Sequence, residues 1–307
     1  MAERKIKVAA VAGPTGSGKS RLAVALAKKL GGEVISCDSM QIYRGMDIGT
    51  GKVTKEEKDG IPHHLLDIAE VSECFSLSDY ISLAGACIEE VDARNAFPIL
   101  CGGTGLYLDN LLGGTDLSSA TENKEFRESL ADYSNGQLHE MLEKIDPESA
   151  LTIHPNNRKR VIRALEIYES TGMTKTGWDA ESKKSDSRYD ARMILLLPSD
   201  RGALYAAIDR RVDGMFQKGL ENEVRRFFEK NPSPTASQAI GYKEFLPYFA
   251  GESSLDEVKE KIKQASRNYA KRQLTWFKNK SQASLCLDPL LPPEEQLLSA
   301  LAFIEKD

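Results

Sequence analysis

Residues 6–20, IKVAAVAGPTGSGKS, decide the fold of this 307-residue chain. The first half, Ile6 to Ala12, is a short apolar run typical of a buried strand in a parallel sheet. The second half matches G-x-x-x-x-G-K-[ST], in which a glycine-rich loop joins a strand to a helix. The N–H groups, helix dipole and lysine of such a loop hold phosphate oxygens, and its serine can bind Mg²⁺. The residues predicted to hold a diphosphate or triphosphate are Gly13, Thr15, Gly16, Ser17, Gly18, Lys19 and Ser20.

Strand-like and helix-like segments alternate outward from this loop. Leucines at a spacing of four predict a helix over 19–30 that ends at Gly31-Gly32. Apolar runs predict further strands at 34–37, 98–101 and 193–197, and a helix is expected at 77–91. This alternation is typical of an α/β fold, here a P-loop parallel sheet with helices on both faces.

The segment 122–180 differs from its surroundings. It is charged, helical in period and poor in strand formers. We therefore expect 1–121 and 181–307 to form the P-loop catalytic domain with C-terminal helices, and 122–180 to be an inserted helical domain. The polar stretch from Ser182 to Asp190 is expected to be a loop.

Composition is that of an ordinary globular protein, with 41% hydrophobic residues. No stretch approaches the roughly 18 apolar residues of a membrane span, and no apolar leader opens the chain. We therefore expect a cytoplasmic protein without membrane contact. The five cysteines are scattered, which argues against disulfides and against a zinc site. Nothing in the sequence points to a protein partner, so a monomer is expected.

The net charge is −5, yet basic residues are concentrated in two places. Between Lys259 and Lys280 lie eight basic residues and a single acidic one, Glu260. A second group consists of Arg158-Lys159-Arg160 with Arg163. Each group is either a solvated helix face or a surface that binds a polyanion.

Two loops follow predicted strands at what should be the carboxyl edge of the sheet. One begins at Asp38 and the other is Gly102-Gly103-Thr104. Open α/β folds bind ligands at this edge. A P-loop NTPase usually carries an acid after a second strand to help hold Mg²⁺, and the loop that ends in Thr104 has none. Asp38 therefore either holds Mg²⁺ through water, as in a kinase, or acts as a general base on an incoming nucleophile.

Further sequence blocks resemble the tRNA dimethylallyltransferase family, and they occur in the family's order. They are 38–50 (DSMQIYRGMDIGT), 62–65 (PHHL), 102–107 (GGTGLY), 154–156 (HPN) with Arg160, 163–166 (RALE), 241–244 (GYKE) and 271–277 (KRQLTWF). Met40 and Gly51-Lys52-Val53 depart from the usual pattern. The chain lacks the C-terminal Cys/His zinc finger of eukaryotic members, so a bacterial form is expected.

The resemblance implies transfer of a dimethylallyl group from dimethylallyl diphosphate to the N6 amine of the adenosine 3′ to the anticodon in tRNA. It implies that the phosphate loop and Arg211 bind the diphosphate, with Mg²⁺ near Ser20. Asp38 would be the general base, Thr104 would lie beside the reacting amine, and the 122–180 domain would clasp the anticodon stem-loop. The residues implied to meet the tRNA are Asp38, Ser39, Met40, Gln41, Thr104, Arg127, Lys159, Arg160, Arg163, Gly241, Tyr242, Lys243, Lys271 and Arg272.

Aromatic side chains in the later blocks are candidate stacking platforms for bases. They are Tyr242, Trp276 and Phe277, although we expect Trp276 to be buried.

Three other functions compete with this interpretation. An adenylate isopentenyltransferase would act on free adenine nucleotides, and the basic insertion disfavours it. A P-loop kinase of a small metabolite would share the phosphate loop, but the missing second acid and the ordered blocks weigh against it. A non-catalytic RNA-binding protein is disfavoured by the intact Lys19, Ser20 and Asp38.

Overall fold

The structure is a computed structural model that describes residues 4–115, 123–182, 187–279 and 284–306. The chain divides into two compact units, one made of residues 1–111 with 189–307 and the other of residues 112–188.

The first unit is built on a six-stranded parallel sheet. The strands are β1 (Ile6–Ala12), β2 (Gly32–Ser36), β3 (His63–His64), β4 (Phe97–Gly102), β5 (Tyr189–Leu196) and β6 (Leu285–Leu287). Their spatial order is β3-β2-β4-β1-β5-β6. Val8 to Ala12 of β1 are fully buried, because strands lie on both sides of it and helices cover both faces of a parallel sheet.

The helices of the first unit follow the strands along the chain, and those of the second unit follow one another. In the first unit they are α1 (Lys19–Leu30), α2 (Lys55–Lys58), α3 (Leu77–Ala93), α4 (Gly105–Leu112), α10 (Arg201–Gln217), α11 (Leu220–Glu229), α12 (Leu246–Phe249), α13 (Leu255–Lys278) and α14 (Pro293–Ile304), with 3₁₀ turns at Ala236–Gln238 and Lys243–Phe245. In the second unit they are α5 (Lys124–Ser129), α6 (Asn135–Ile145), α7 (Pro147–Thr152), α8 (Arg158–Thr171) and α9 (Lys175–Ser182).

The predicted α/β fold class is confirmed. The strand at Ile6–Ala12 and the helix at Lys19–Leu30 have the predicted bounds. Sequence patterns missed β3 and β6, which are two and three residues long, too short to show a period. The prediction of a loop from Ser182 to Asp190 is wrong at its C-terminal end, because β5 begins at Tyr189. Residues 183–186 lie outside the described ranges.

Among the hydrophobic clusters in the described part of the first unit, two hold the sheet and the loop after β2 in place. One joins the sheet to α1 and α14, through residues such as Leu26 and Ile304. The other packs the loop after β2 against α10, α11 and α13, through residues such as Met46, Val224 and Ile262. The second cluster therefore connects the loop that follows Asp38 with the C-terminal helices.

The second unit has its own core, which packs α6 against α7 and α8 around residues such as Leu138 and Val161. Within it the fully buried Glu166 binds Arg127 at 2.8 Å and Arg163 at 2.6 Å. The expected insertion, 122–180, falls inside this unit, although Glu122 is outside the described ranges. In the ranges that the structure describes, no helix is both long and apolar enough to cross a membrane.

Candidate active site

A cavity of about 300 Å³ opens in the first unit at the carboxyl edge of the sheet. The loops after β1, β2 and β4 meet there, because parallel strands end at the same edge. The residues of the predicted site that line it are Thr15, Lys19, Ser20, Asp38, Ser39, Met40, Gln41, Arg211, Lys243 and Arg272.

The phosphate loop has the backbone that its glycines predict. Gly16 and Gly18 have φ of 79° and 80°, a left-handed conformation that favours glycine. Gly18 caps α1, so the first N–H groups of this helix point towards the loop. The Lys19 ammonium donates to the Pro14 carbonyl at 3.3 Å. Burial lowers the pKa of Lys19, and the nearby Asp38 partly offsets this effect.

Arg211 of α10 joins the phosphate loop to the loop after β2. Its Nη1 donates to the Thr15 hydroxyl at 2.6 Å and its Nη2 donates to the Thr50 carbonyl at 2.8 Å. A Cβ on Gly51 would lie 2.0 Å from Nη2, so a glycine is required beside the guanidinium. Burial lowers the pKa of Arg211, while the charge of Asp38 raises it. A buried cation of this kind favours an anionic ligand.

Asp38 and Thr104 are held together by the backbone. The Asp38 carboxylate accepts hydrogen bonds from the N–H groups of Met40 at 2.9 Å and Gln41 at 3.4 Å, which closes its own turn. The next residue, Ser39, donates its N–H to the Thr104 hydroxyl at 3.2 Å. A Cβ on Gly102 would lie 2.1 Å from the Cys37 carbonyl oxygen, so this glycine lets the two loops approach.

Sequence reasoning missed Glu223 as a part of the site. It lies on α11 in Glu221-Asn222-Glu223, a pattern that resembles a solvated helix face. The structure instead buries it, with 4% of the residue exposed. Its carboxylate accepts the N–H groups of three consecutive residues in the loop after β2, which are Asp47, Ile48 and Gly49.

Sequence reasoning also gave no role to Gln273 or Tyr269 of α13. Both line the cavity. Burial raises the pKa of Tyr269 to about 12, with a smaller contribution from the charge of Asp38. Gln273 belongs to one of the quoted blocks, but no sequence pattern indicates that its amide is turned inwards.

The expected stacking platforms need correction. Tyr242 and Phe277 are buried, so neither ring offers a face to RNA. Trp276, expected to be core, is 38% exposed, and its indole N–H donates to Asp109 at 3.1 Å. Gly241 is buried as well, with φ of 94°.

The basic group from Lys259 to Lys280 is not one continuous surface. Lys259 and Lys263 pair with Asp213 of α10 at 2.8 and 3.0 Å, and Arg267 pairs with Asp209 at 2.6 Å. Acidic residues of α10 therefore pair with three of the four basic residues in the first half of the group, whereas Lys261 is exposed. Lys271 and Arg272 are exposed in the second half, and Lys280 lies outside the described residues.

The remaining basic residues that were predicted to meet tRNA lie on the second unit. Lys159 and Arg160 are exposed on α8. Arg127 and Arg163 both donate to the buried Glu166 carboxylate, so part of their role is structural.

Comparisons with known proteins identify the family. The model of the family described as IPP transferase matches residues 41–280. A tRNA dimethylallyltransferase of Anoxybacillus flavithermus is 48% identical over 89% of this chain and 88% of its own length, and one of Bacillus subtilis is 46% identical over 92% and 91%.

Solved structures agree with these sequence matches. A tRNA isopentenylpyrophosphate transferase from Bacillus halodurans has a TM-score of 0.74 at 43% identity, over 98% of this chain and 96% of its own. A eukaryotic dimethylallyltransferase acting on tRNA has a TM-score of 0.82 at 32% identity, over 92% of this chain and 74% of its own. The chain therefore belongs to the tRNA dimethylallyltransferase family, which the family model describes as IPP transferase.

Proposed function

We propose that this protein transfers a dimethylallyl group from dimethylallyl diphosphate to the N6 amine of the adenosine 3′ to the anticodon in tRNA, releasing diphosphate. The observation that carries the proposal is one cavity lined both by cations suited to a diphosphate, Lys19 and Arg211, and by a carboxylate suited to a base, Asp38. The relatives named above support tRNA as the acceptor.

The leaving group is the first part of the chemistry. As the bond from C1 of the prenyl group to the bridging oxygen breaks, negative charge grows on the diphosphate. Lys19 and Arg211 are pre-placed beside that charge in a buried site, where such stabilisation is usually the largest contribution to catalysis. Burial disfavours the cationic form of both residues, and a bound dianion would offset that cost.

The nucleophile is the second part. The exocyclic amine of adenine is weakly nucleophilic, so a base that removes its proton as the N6–C1 bond forms speeds the reaction by about 10²–10⁴-fold. We assign this role to the Asp38 carboxylate. Thr104, held to the backbone of Ser39, would then orient the amine.

Mg²⁺ is the proposed cofactor, and the donor set at the site suits it. The Ser20 hydroxyl lines the same cavity as Lys19 and Arg211, the residues proposed to hold the diphosphate. Among the described residues, no three His, Cys, Asp or Glu side chains form a cluster that could hold a metal by themselves. Mg²⁺ is usually held by one or two protein oxygens together with substrate phosphates and waters. When bound, it would neutralise charge on the diphosphate.

The tRNA would bind through exposed cations. Lys243 and Arg272 line the cavity and are exposed, as are Lys159 and Arg160 on the second unit. A base that enters the cavity must leave its stack at a cost of roughly a few kcal/mol. Contacts between these cations and tRNA phosphates would offset that cost.

A direct transfer assay tests the proposal against its rivals. The purified protein is incubated with Mg²⁺, radiolabelled dimethylallyl diphosphate and unmodified tRNA, with AMP and ATP offered separately as acceptors. Label in tRNA supports the proposal. Label only in AMP or ATP would establish an adenylate isopentenyltransferase, and consumption of ATP without transfer would establish a kinase.

A further inference from the structure

The side chain of Gln273 connects the two loops between which the reaction would occur. Its Oε1 accepts the N–H of Thr15 in the phosphate loop at 2.9 Å, and its Nε2 donates to the Gly103 carbonyl after β4 at 2.9 Å. Gln273 is buried, with 6% of the residue exposed. An amide has one donor side and one acceptor side, so these two partners fix its orientation.

The neighbours of Gln273 on α13 contact the same loop. Tyr269, one turn earlier, interacts with the side chains of Thr104 and Gln273. Trp276, about one turn later, lies so close to Gly105 that a Cβ there would be 2.4 Å from the indole. Residues at this spacing share one face of a helix. One face of α13 therefore runs along the loop that carries Thr104.

This arrangement gives Thr15 a structural role beside the predicted one in diphosphate binding. Its N–H, which a phosphate loop could offer to a ligand, is occupied by Gln273, and its hydroxyl accepts a hydrogen bond from Arg211. Thr15 thus ties the phosphate loop to α13 and α10. The loop position is set by these two helices as well as by β1 and α1.

We infer that Gln273 is a positioning residue that sets the separation between the phosphate loop and the Thr104 loop, and so aligns C1 of the prenyl diphosphate with the acceptor amine. The inference rests on the proposed function. Misplacement of reacting groups by about 1 Å can cost around 10²-fold in rate. Loss of the two Gln273 hydrogen bonds should therefore lower the rate constant at saturating substrate more than it weakens the binding of either substrate.

Gln273→Met tests this inference, because methionine has a similar length but has neither the amide oxygen that accepts from Thr15 nor the NH₂ that donates to Gly103. Single-turnover transfer of labelled dimethylallyl to tRNA is measured with both substrates saturating. Affinity for tRNA is measured separately by filter binding, and affinity for inorganic diphosphate by calorimetry. We expect the rate constant to fall about 10–100-fold, with each Kd changed by less than about threefold.

Two further variants make the result decisive. Gln264→Met changes an exposed glutamine of the same helix and should leave the rate constant unchanged. Gly103→Ala disturbs the hydrogen bond between Gln273 and the Gly103 carbonyl, since the new Cβ would lie 2.2 Å from Gln273 Nε2. This variant should also lower the single-turnover rate constant, even if Gln273→Met fails to fold.

The possible outcomes separate this inference from the proposed function. If the wild-type protein transfers no label to tRNA, the proposed function is wrong. If it does, and the folded variants react at the wild-type rate, the positioning role is wrong. A loss of activity that disappears at saturating substrate would also overturn the positioning role, because it would place the effect in binding.

Discussion

The hydroxyl of Tyr242 donates a 2.6 Å hydrogen bond to the buried carboxylate of Glu223. The same carboxylate accepts the N–H groups of Asp47, Ile48 and Gly49 at 2.8 to 3.0 Å. Burial and the charge of Glu223 raise the pKa of Tyr242 well above its usual range, so the phenol stays protonated and remains a donor. The loop held in this way continues to Thr50, whose carbonyl accepts a hydrogen bond from the Arg211 guanidinium.

Glu223→Gln should destabilise the protein and weaken diphosphate binding together. An amide in place of the carboxylate loses the charge that strengthens its hydrogen bonds, and its NH₂ faces two donors, because each carboxylate oxygen accepts from two groups. A hydrogen bond to a charged group contributes about 1.5–3 kcal/mol, so we expect the free energy of unfolding to fall by roughly that amount. Denaturant unfolding and the KM for dimethylallyl diphosphate would measure the two effects.

Glu221→Gln is the matched control on the same helix. Glu221 pairs with Arg225 at 2.7 Å near the surface, where ion pairs contribute about 1 kcal/mol or less. A loss of stability as large in Glu221→Gln as in Glu223→Gln would refute the special role of the buried carboxylate.

The contrast between these two glutamates shows where sequence reasoning stopped. Features that depend on neighbouring residues could be predicted. The glycines of the phosphate loop have the positive φ values that the motif requires, and the apolar run of β1 is buried as expected. The role of Glu223 could not be predicted because the backbone N–H groups that it accepts lie 174 to 176 residues away in the chain.

Helix α13 illustrates the same limit. It has buried residues, cavity-lining residues and exposed cations on different sides, and composition alone does not say which side meets which neighbour. Trp276, which was expected to be buried, is therefore exposed, and the adjacent Phe277, a candidate stacking platform, is buried. The ion pairs of Lys259 and Lys263 with Asp213 likewise join residues about 50 positions apart, so the sequence showed their charges without their partners.

Asp38→Asn and Asp38→Ala should separate two roles of this residue. Asparagine keeps an oxygen for the N–H of Met40, whereas alanine loses it. Both variants lose the base, so we expect the single-turnover rate constant to fall by about 10²–10⁴-fold in each. Only Asp38→Ala should also disturb the turn and lower stability, as measured by thermal unfolding. Near-normal turnover by Asp38→Asn would mean that another group accepts the proton.

Arg211→Lys should raise the KM for dimethylallyl diphosphate about tenfold or more. A lysine keeps the charge but loses the planar fork that reaches Thr15 and Thr50 together. The adjacent Arg210 is exposed, so Arg210→Lys is a control with the same chemical change and should behave like the wild type. Equal effects at the two positions would show that the buried fork is not what binds the diphosphate.

The salt dependence of tRNA binding should distinguish exposed cations from neutralised ones. Each phosphate contact adds about 0.7–0.9 to the slope of log Kobs against log salt concentration. Lys159 and Arg160 are exposed, so the double variant Lys159→Ala/Arg160→Ala should make the slope less steep by about 1.4–1.8. Lys259 and Lys263 already pair with Asp213, so Lys259→Ala/Lys263→Ala should change the slope by less than about 0.5. Filter binding at several salt concentrations measures both slopes. If the second double variant flattens the slope as much as the first, tRNA displaces the ion pairs with Asp213, and the first half of α13 belongs to the binding surface after all.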